Sequence, residues 1–365
     1  MSERIGTVTG FIEQLAPPAL AASWDNCGLM TGDPDVETQR VLFALDCTAA
    51  VIREALDRDC RMIVTHHPLI FEPLKHLSLT NPKNKLLVSL VQQGTAVYSA
   101  HTSFDFAARG VSHVLAERMG LMEPTVLQPA DAGLVKLLFT VPEEQAEAVC
   151  QAVFGAGAGT LGDYTQTRFT VSGQGSFVPQ TGADPFIGSP GRRETVSELK
   201  VETVLEKQQI PSVVSALLEA HPYEEPAYDL VPLLNRDLRT GAGVIGLVEE
   251  PESLDAYAAR VRDRLGLDRV TVYGDRNRTV RKVAMCGGSG KSLIGDALKA
   301  GADVLVTGDI GYHDGLDAPA EGLCLIDAGH AGTEWPAMEW LCHQVANALD
   351  VEGIVSEAQS PEFGI

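Results

Sequence analysis

The chain has 365 residues, 45% of them hydrophobic and 21% charged, too many for one ordinary core and enough for two or three domains. Lys and Arg total 28 against 49 Asp and Glu, a formal net charge of -21 with no basic run, which argues against nucleic acid or an anionic membrane as partner. The seven cysteines (Cys27, Cys47, Cys60, Cys150, Cys286, Cys324, Cys342) are odd in number and contain no Cys-x-x-Cys pair, which excludes a disulfide scaffold and points to reduced thiols.

The amino terminus lacks a basic region followed by an apolar core, and no apolar run is long enough to span a bilayer, so a cytoplasmic location is expected. Residues 8–15 carry apolar side chains at helical spacing, and Pro17-Pro18 stops the pattern. A polar-aromatic turn, Trp24-Asp25-Asn26-Cys27-Gly28-Leu29, precedes a strand over 41–45 that ends in Asp46-Cys47-Thr48. A helix over 49–58 leads to a strand over 62–65, which runs straight into His66-His67-Pro68. Such a pair sits where a strand leaves a sheet at its carboxyl end, the edge at which open α/β sheets collect ligands. Adjacent side chains on an extended backbone point to opposite sides, so the two imidazoles would more easily serve two neighbouring ions than one. The bland reading is a surface loop that happens to hold two histidines. A helix over 84–93 and a strand over 96–99 follow, ending in Ala100-His101-Thr102-Ser103-Phe104-Asp105, and a helix over 110–119 closes the section.

Residues 131–235 differ in pattern. Strands over 135–141, 164–171 and 199–204, helices over 143–154 and 210–219, and a last strand to Leu230 give the β-α-β-β-α-β order of a ferredoxin-like domain. His221, beside Pro222, reads as a loop residue.

The last third repeats the first. Strands over 282–286, 303–306 and 323–326 end in Thr307-Gly308-Asp309 and in Asp327-Ala328-Gly329-His330 through Glu334. His101 and Asp105 thus correspond to His330 and Glu334, two His-x-x-x-acid strand ends in a weak internal duplication. Helix-strand alternation alone would produce part of that likeness. Cys286-Gly287-Gly288-Ser289-Gly290-Lys291-Ser292 imitates a phosphate-binding loop, but the first glycine of a Walker A motif falls on Met285. A backbone nest for phosphate at that helix start stays open. Pro336 belongs in a first helical turn, which predicts a helix beginning near Thr333.

Imidazoles and carboxylates gathered at several strand ends suit Zn, Mn, Fe or Co. The candidate ligands are His66, His67, Asp105, His330 and Glu334, with carboxylates able to bridge two ions about 3.5–4 Å apart. His101 and His313 stand as donors orienting ligands or carrying protons, or equally as satisfied strand-end histidines.

Trp24 through Leu29, Thr65-His66-His67-Pro68, His101 through Asp105, Thr307-Gly308-Asp309 with Tyr312-His313-Asp314, and Gly329-His330 through Glu334 together resemble the GTP cyclohydrolase 1 type 2 homologue family. Gly155-Ala156-Gly157-Ala158-Gly159 and His221 through Pro226 are similar to its longer members, which carry a PII/CutA-like insertion. The resemblance implies two α/β lobes, 1–130 and 236–365, with mainly parallel sheets forming one core, split by the ferredoxin-like domain 131–235. It implies a homohexameric toroid, two divalent ions per chain, and the ligand role for His66, His67, Asp105, His330 and Glu334. The function it implies is metal-dependent hydrolysis of a nucleotide or phosphoester. The alternative is a non-catalytic protein that handles, delivers or senses metal. Cys27 stands where Val is common in the family, and Ser103-Phe104 where Asn-Leu is common; none of these is a ligand position.

Overall fold

Arg40–Ala44, Met62–Thr65 and Ala96–Ser99 lie side by side as parallel strands in the computed structural model, which describes residues 2–358. Every second side chain faces one way, so Val41, Phe43, Val64 and Tyr98 pack on the helices Ile5–Leu15 and His330–Ala348. Their neighbours Leu42, Ile63 and Val97 meet Val51, Ile52 and Leu90 from the helices Ala49–Asp57 and Pro82–Gln93 on the opposite face. Burial on both faces is why these strands read as continuous apolar runs. Glu352–Val355 joins one edge in parallel and Gly28–Thr31 joins the other antiparallel, completing five strands.

A second sheet repeats the plan. Thr279–Ser289, Val304–Gly308 and Cys324–Asp327 are parallel neighbours, and Thr271–Tyr273 pairs antiparallel with the last of them. Val283, Val304 and Ile326 bury against Leu254, Tyr257 and Val261 of the helix Leu254–Leu265, while Ala284, Leu305 and Leu325 cover Leu293, Ala297 and Ala318. Each sheet therefore has three central parallel strands, an antiparallel strand beside the third, and helices on both sides.

The second sheet reaches six strands through Met122–Asp131 and Arg236–Ser253, which the sequence pattern did not mark as strands. Pro124, Pro129, Gly241, Gly243 and Gly246 punctuate them like loops. The structure uses the glycines for close backbone approach. A Cβ on Gly241 would overlap the Gln128 carbonyl, and one on Gly246 would stand 2.9 Å from the Met122 carbonyl oxygen.

The helix expected near Thr333 begins at His330 and runs to Ala348, with Pro336 inside it. Proline costs that helix one backbone bond. Burial of Thr333, Glu334, Ala337, Met338, Leu341 and Val345 against strands of both sheets offsets the loss. His330 and Glu334 thereby become neighbours one helical turn apart.

Residues through Ala130 and from Leu238 form one compact unit, and Asp131–Asp237 form another. Within the second, the sheet order is Tyr228–Pro232, Leu134–Pro142, Glu194–Glu206, Phe169–Phe177, all antiparallel. Val135, Leu137, Phe139 and Val141 alternate onto the helices Ala146–Gly155 and Ile210–Ala220 through Val149, Val153, Val213 and Leu217. The strand expected over 164–171 lies later, at Phe169–Phe177, because Gly173 and Gly175 are within it and not in a turn. Gly175 leaves room for the buried Glu198 carboxylate, which a Cβ there would overlap.

The described residues contain 11 α-helices, and none is long and apolar enough to cross a membrane. The fold is mixed α/β, with two large mixed sheets in the first unit and an antiparallel sheet in the second.

Candidate metal centre

His66 and His67 continue the Met62–Thr65 strand by one step, their amides bonding the carbonyls of Ala44 and Leu45. Their ring centroids are 5.1 Å apart. His101 caps the short helix Thr102–Asp105, 5.2 Å from His66 and 5.6 Å from His67 by centroid. From the second sheet, the first turn of His330–Ala348 brings His330 to 5.2 Å from His67 by centroid.

Glu334 is the hub. It is 4% exposed, and its Oε1 lies 3.1 Å from His330 Nε2 and 3.5 Å from His66 Nε2, while Oε2 is 3.2 Å from His67 Nε2. Asp105 Oδ1 approaches His66 Nε2 at 3.6 Å. Of the seven residues singled out from sequence, six converge here. The seventh, His313, is exposed near the start of the helix Tyr312–Ala320, with its ring against Tyr312 at 5.4 Å.

Each imidazole is held from behind at Nδ1. His66 meets the Ala100 carbonyl at 2.8 Å, His67 the Asp46 carboxylate at 3.0 Å, His101 Asp25 at 2.8 Å and His330 Asp309 at 2.8 Å. A carbonyl only accepts, so His66 carries its proton on Nδ1 and its neutral form presents a bare Nε2. The three carboxylates impose the same tautomer on the others. Asp25 is itself fixed by the Thr102 amide at 3.0 Å, the Thr102 hydroxyl at 2.5 Å and the Cys27 thiol at 3.1 Å. Those donors outweigh its burial and hold its carboxyl far below the usual range. Asp309 sits in the left-handed region, φ 58°, where a non-glycine residue is uncommon and this one serves the site. Sequence reasoning quoted Asp25, Asp46 and Asp309 without giving them a role. The signal was an acid at the carboxyl end of a strand or in a motif already noted.

Four Nε2 lone pairs and a carboxylate thus face one another, with His67 Nε2 only 3.2 Å from His330 Nε2. His66 Nε2 and Glu334 Oε2 are buried without a hydrogen-bond partner. Acceptors crowded this way need protons or cations between them. Among the described residues, the sets His66, His67, His101 and His67, His330, Glu334 each bring their ligand atoms within 4.8 Å of one another. The donor set fits divalent ions of the Zn, Fe, Mn and Co type.

Without an ion, protons take that place. Burial depresses His67, but its hydrogen bond to Asp46 and the close Glu334 carboxylate carry it up to about 10. The Glu334 bond pushes His330 up to about 9 against its burial. Burial likewise opposes ionisation of Glu334, yet His66, His330 and His67 hold it well below the carboxylate range. Burial raises Asp105 to about 6. A histidine raised on folding contributes stability that is whole below its unfolded value, about 6.5, and disappears as pH climbs through the folded value. Chelator-treated protein should therefore melt at falling temperature from pH 7 to 10, and metal loading should flatten that slope. A flat melting profile for the stripped protein would count against these assignments.

The glycine loop's own amides are engaged within the protein. Gly288 and Gly290 amides are taken by the hydroxyls of Thr333 at 2.9 Å and Thr307 at 2.8 Å, and the segment through Ser289 is strand. His221 is satisfied between the Thr140 carbonyl and the Tyr223 amide.

The family model for Duf34/NIF3 (NGG1p interacting factor 3) matches residues 4–361. A Bacillus subtilis protein named GTP cyclohydrolase 1 type 2 homolog is 40% identical over 319 residues, covering 87% of this chain and 86% of its own. One of the same name from Halalkalibacterium halodurans is 39% identical, covering 89% and 87%. Among solved structures, a Bacillus cereus protein related to NIF3 superposes with TM-score 0.73 at 36% identity, covering 100% and 99%. A Staphylococcus aureus protein reaches TM-score 0.83 at 28% identity with the same coverage.

Proposed function

The chain belongs to the Duf34/NIF3 family, and from that membership we propose that it is a dinuclear metal-binding hydrolase acting on a nucleotide or phosphoester. The observation that carries the reading is the convergence of bare imidazole Nε2 atoms, each backed at Nδ1, on the buried Glu334. His66, His67, Asp105, His330 and Glu334 would hold the ions between them. Bound there, the pair supplies Lewis acidity toward a carbonyl or phosphoryl oxygen and lowers the pKa of water at the site.

His101 has a separate part. Burial lowers its pKa, with Asp25 only partly opposing, so its Nε2 is free to accept a proton at neutral pH. Asp25 keeps that nitrogen aimed at the cluster by holding Nδ1–H. His313 stands further out, where it would relay a proton only after substrate or a second copy of the chain closes over it.

The relatives' name supplies the reaction to test. Water would add to the imidazole carbon of guanine, the ring C–N bond would break, and a second hydrolysis would release formate. Metal-dependent formate release from GTP, absent in His67→Ala, is the expected result. No release above that control with ions loaded would sink the cyclohydrolase reading. The homohexameric toroid, the cytoplasmic location and a PII/CutA-like role for Asp131–Asp237 belong to the same proposal; the βαββαβ order and antiparallel sheet of that unit support its ferredoxin-like assignment.

A further inference from the structure

Beside the metal centre, two large aromatic rings face solvent. Trp24 is 61% exposed and Phe71 47% exposed, with centroids 6.0 Å apart and planes inclined at 49°. Scattered exposed hydrophobics need no explanation. These two are not scattered. The Trp24 ring meets the His101 ring edge-on at 6.2 Å, and His101 packs on both His66 and His67, so the aromatic surface is continuous with the imidazole cluster.

Their two loops are also tied together. Asn26 Nδ2 donates to the Ile70 carbonyl at 2.5 Å, joining the Trp24 turn to the segment that leads from His67 to Phe71. The Trp24 turn is anchored at its next residue, Asp25, to His101 and Thr102. Phe71 in turn borders a cavity of about 330 Å³ together with Leu69, Leu74 and Leu87, the lower end of the range for small-ligand sites. Imidazole cluster, indole and phenyl thus follow one another ring against ring, and the phenyl also lines the cavity.

We propose that Trp24 and Phe71 form a stacking platform that selects a planar heteroaromatic substrate of the purine class for the metal centre. The inference rests on reading the cluster as a metal site and narrows its substrate class. A simple phosphoester offers charge and oxygen donors, for which a pair of exposed aromatic rings adds nothing. A purine offers a flat face to one ring and an edge to the other, the arrangements aromatic quadrupoles favour. The position beside His101 would bring the ring carbons of a stacked base next to the imidazole cluster.

The test uses full-length, metal-loaded protein and two probes, guanosine and ribose 5-phosphate, with binding measured by calorimetry. Guanosine should bind more tightly than ribose 5-phosphate. The Trp24→Leu/Phe71→Ala variant should lose about tenfold or more of the guanosine affinity, the scale of one lost base stack, with ribose 5-phosphate unchanged. Trp24→Phe should recover most of it. Metal content measured on the same samples shows whether the variants keep the centre. Equal binding of the two probes by the wild type overturns the platform, as does wild-type guanosine affinity in the metal-replete double variant. Either failure leaves the metal centre standing, whereas loss of ions from the wild type itself would remove the reading beneath both.

Discussion

Glu334→Ala is expected to strip the centre of metal. Among the described residues, Glu334 is the one carboxylate within 3.5 Å of His66, His67 and His330 at once, so its loss removes the donor they share. It also removes the buried negative charge that would compensate divalent ions there. Disturbing a residue that merely orients a ligand costs about 10–100-fold in metal affinity, and losing a shared ligand should exceed that. Elemental analysis of anaerobically purified protein should find about two ions per chain in the wild type, the count of a two-metal site, and a sharp fall in the variant. Glu334→Gln separates charge from shape, since the amide keeps the volume and one oxygen. It should retain more metal than alanine and less than the wild type. Full occupancy in Glu334→Ala would break the ligand assignment.

Gly308→Ala should damage both stability and the site, although residue 308 touches no ligand atom. A Cβ there would stand 2.6 Å from the His330 amide nitrogen, 2.7 Å from the Gly329 carbonyl carbon and 2.8 Å from His330 Cα. All three are backbone atoms and cannot swing aside. Retreat is blocked as well, because the Ala328 amide bonds the Thr307 carbonyl at 2.8 Å and the Gly329 amide bonds Asp327 Oδ1 at 2.9 Å. The start of the long helix must shift, taking His330 with it. Overpacking of this kind costs about 1–3 kcal/mol. A lower melting temperature and reduced metal content should appear together. Gly295→Ala is the control: its Cβ meets nothing within 4 Å in a helix, so stability should hold or rise by up to about 1 kcal/mol. Wild-type melting and metal content in Gly308→Ala would show that the strand end and the helix are less tightly coupled than their spacing implies.

The central strands were legible in the chain because they are buried on both faces. Residues 62–65 and 96–99 coincide with Met62–Thr65 and Ala96–Ser99, since an unbroken apolar run between turn residues has few other places to go. Edge strands were less legible. Arg236–Ser253 carries glycines that mark close backbone approach, and a glycine read locally signals a turn. Pro336 misled for a related reason: propensity places it in a first turn, and only packing on two sheets makes an interior proline tolerable. The glycine loop before Lys291 imitates a phosphate site in one dimension, and hydroxyls of Thr307 and Thr333, distant in sequence, consume its amides.

At the centre the division has the same origin. His66, His67, His101, Asp105, His330 and Glu334 stand out in the chain because each follows an apolar strand, and a strand's carboxyl end is a fixed place in an α/β sheet. Residue type and strand position are local properties, so sequence by itself determined which side chains are candidate donors and the chemistry they would suit. Which nitrogen of each histidine faces inward was decided by Ala100, Asp46, Asp25 and Asp309, across gaps of up to 76 residues. That Glu334 meets imidazoles from both sheets was decided only when the His330–Ala348 helix packed between them. Hydrogen bonds and contacts across such distances depend on how two sheets and a helix are stacked, and no periodicity along the chain encodes that stacking.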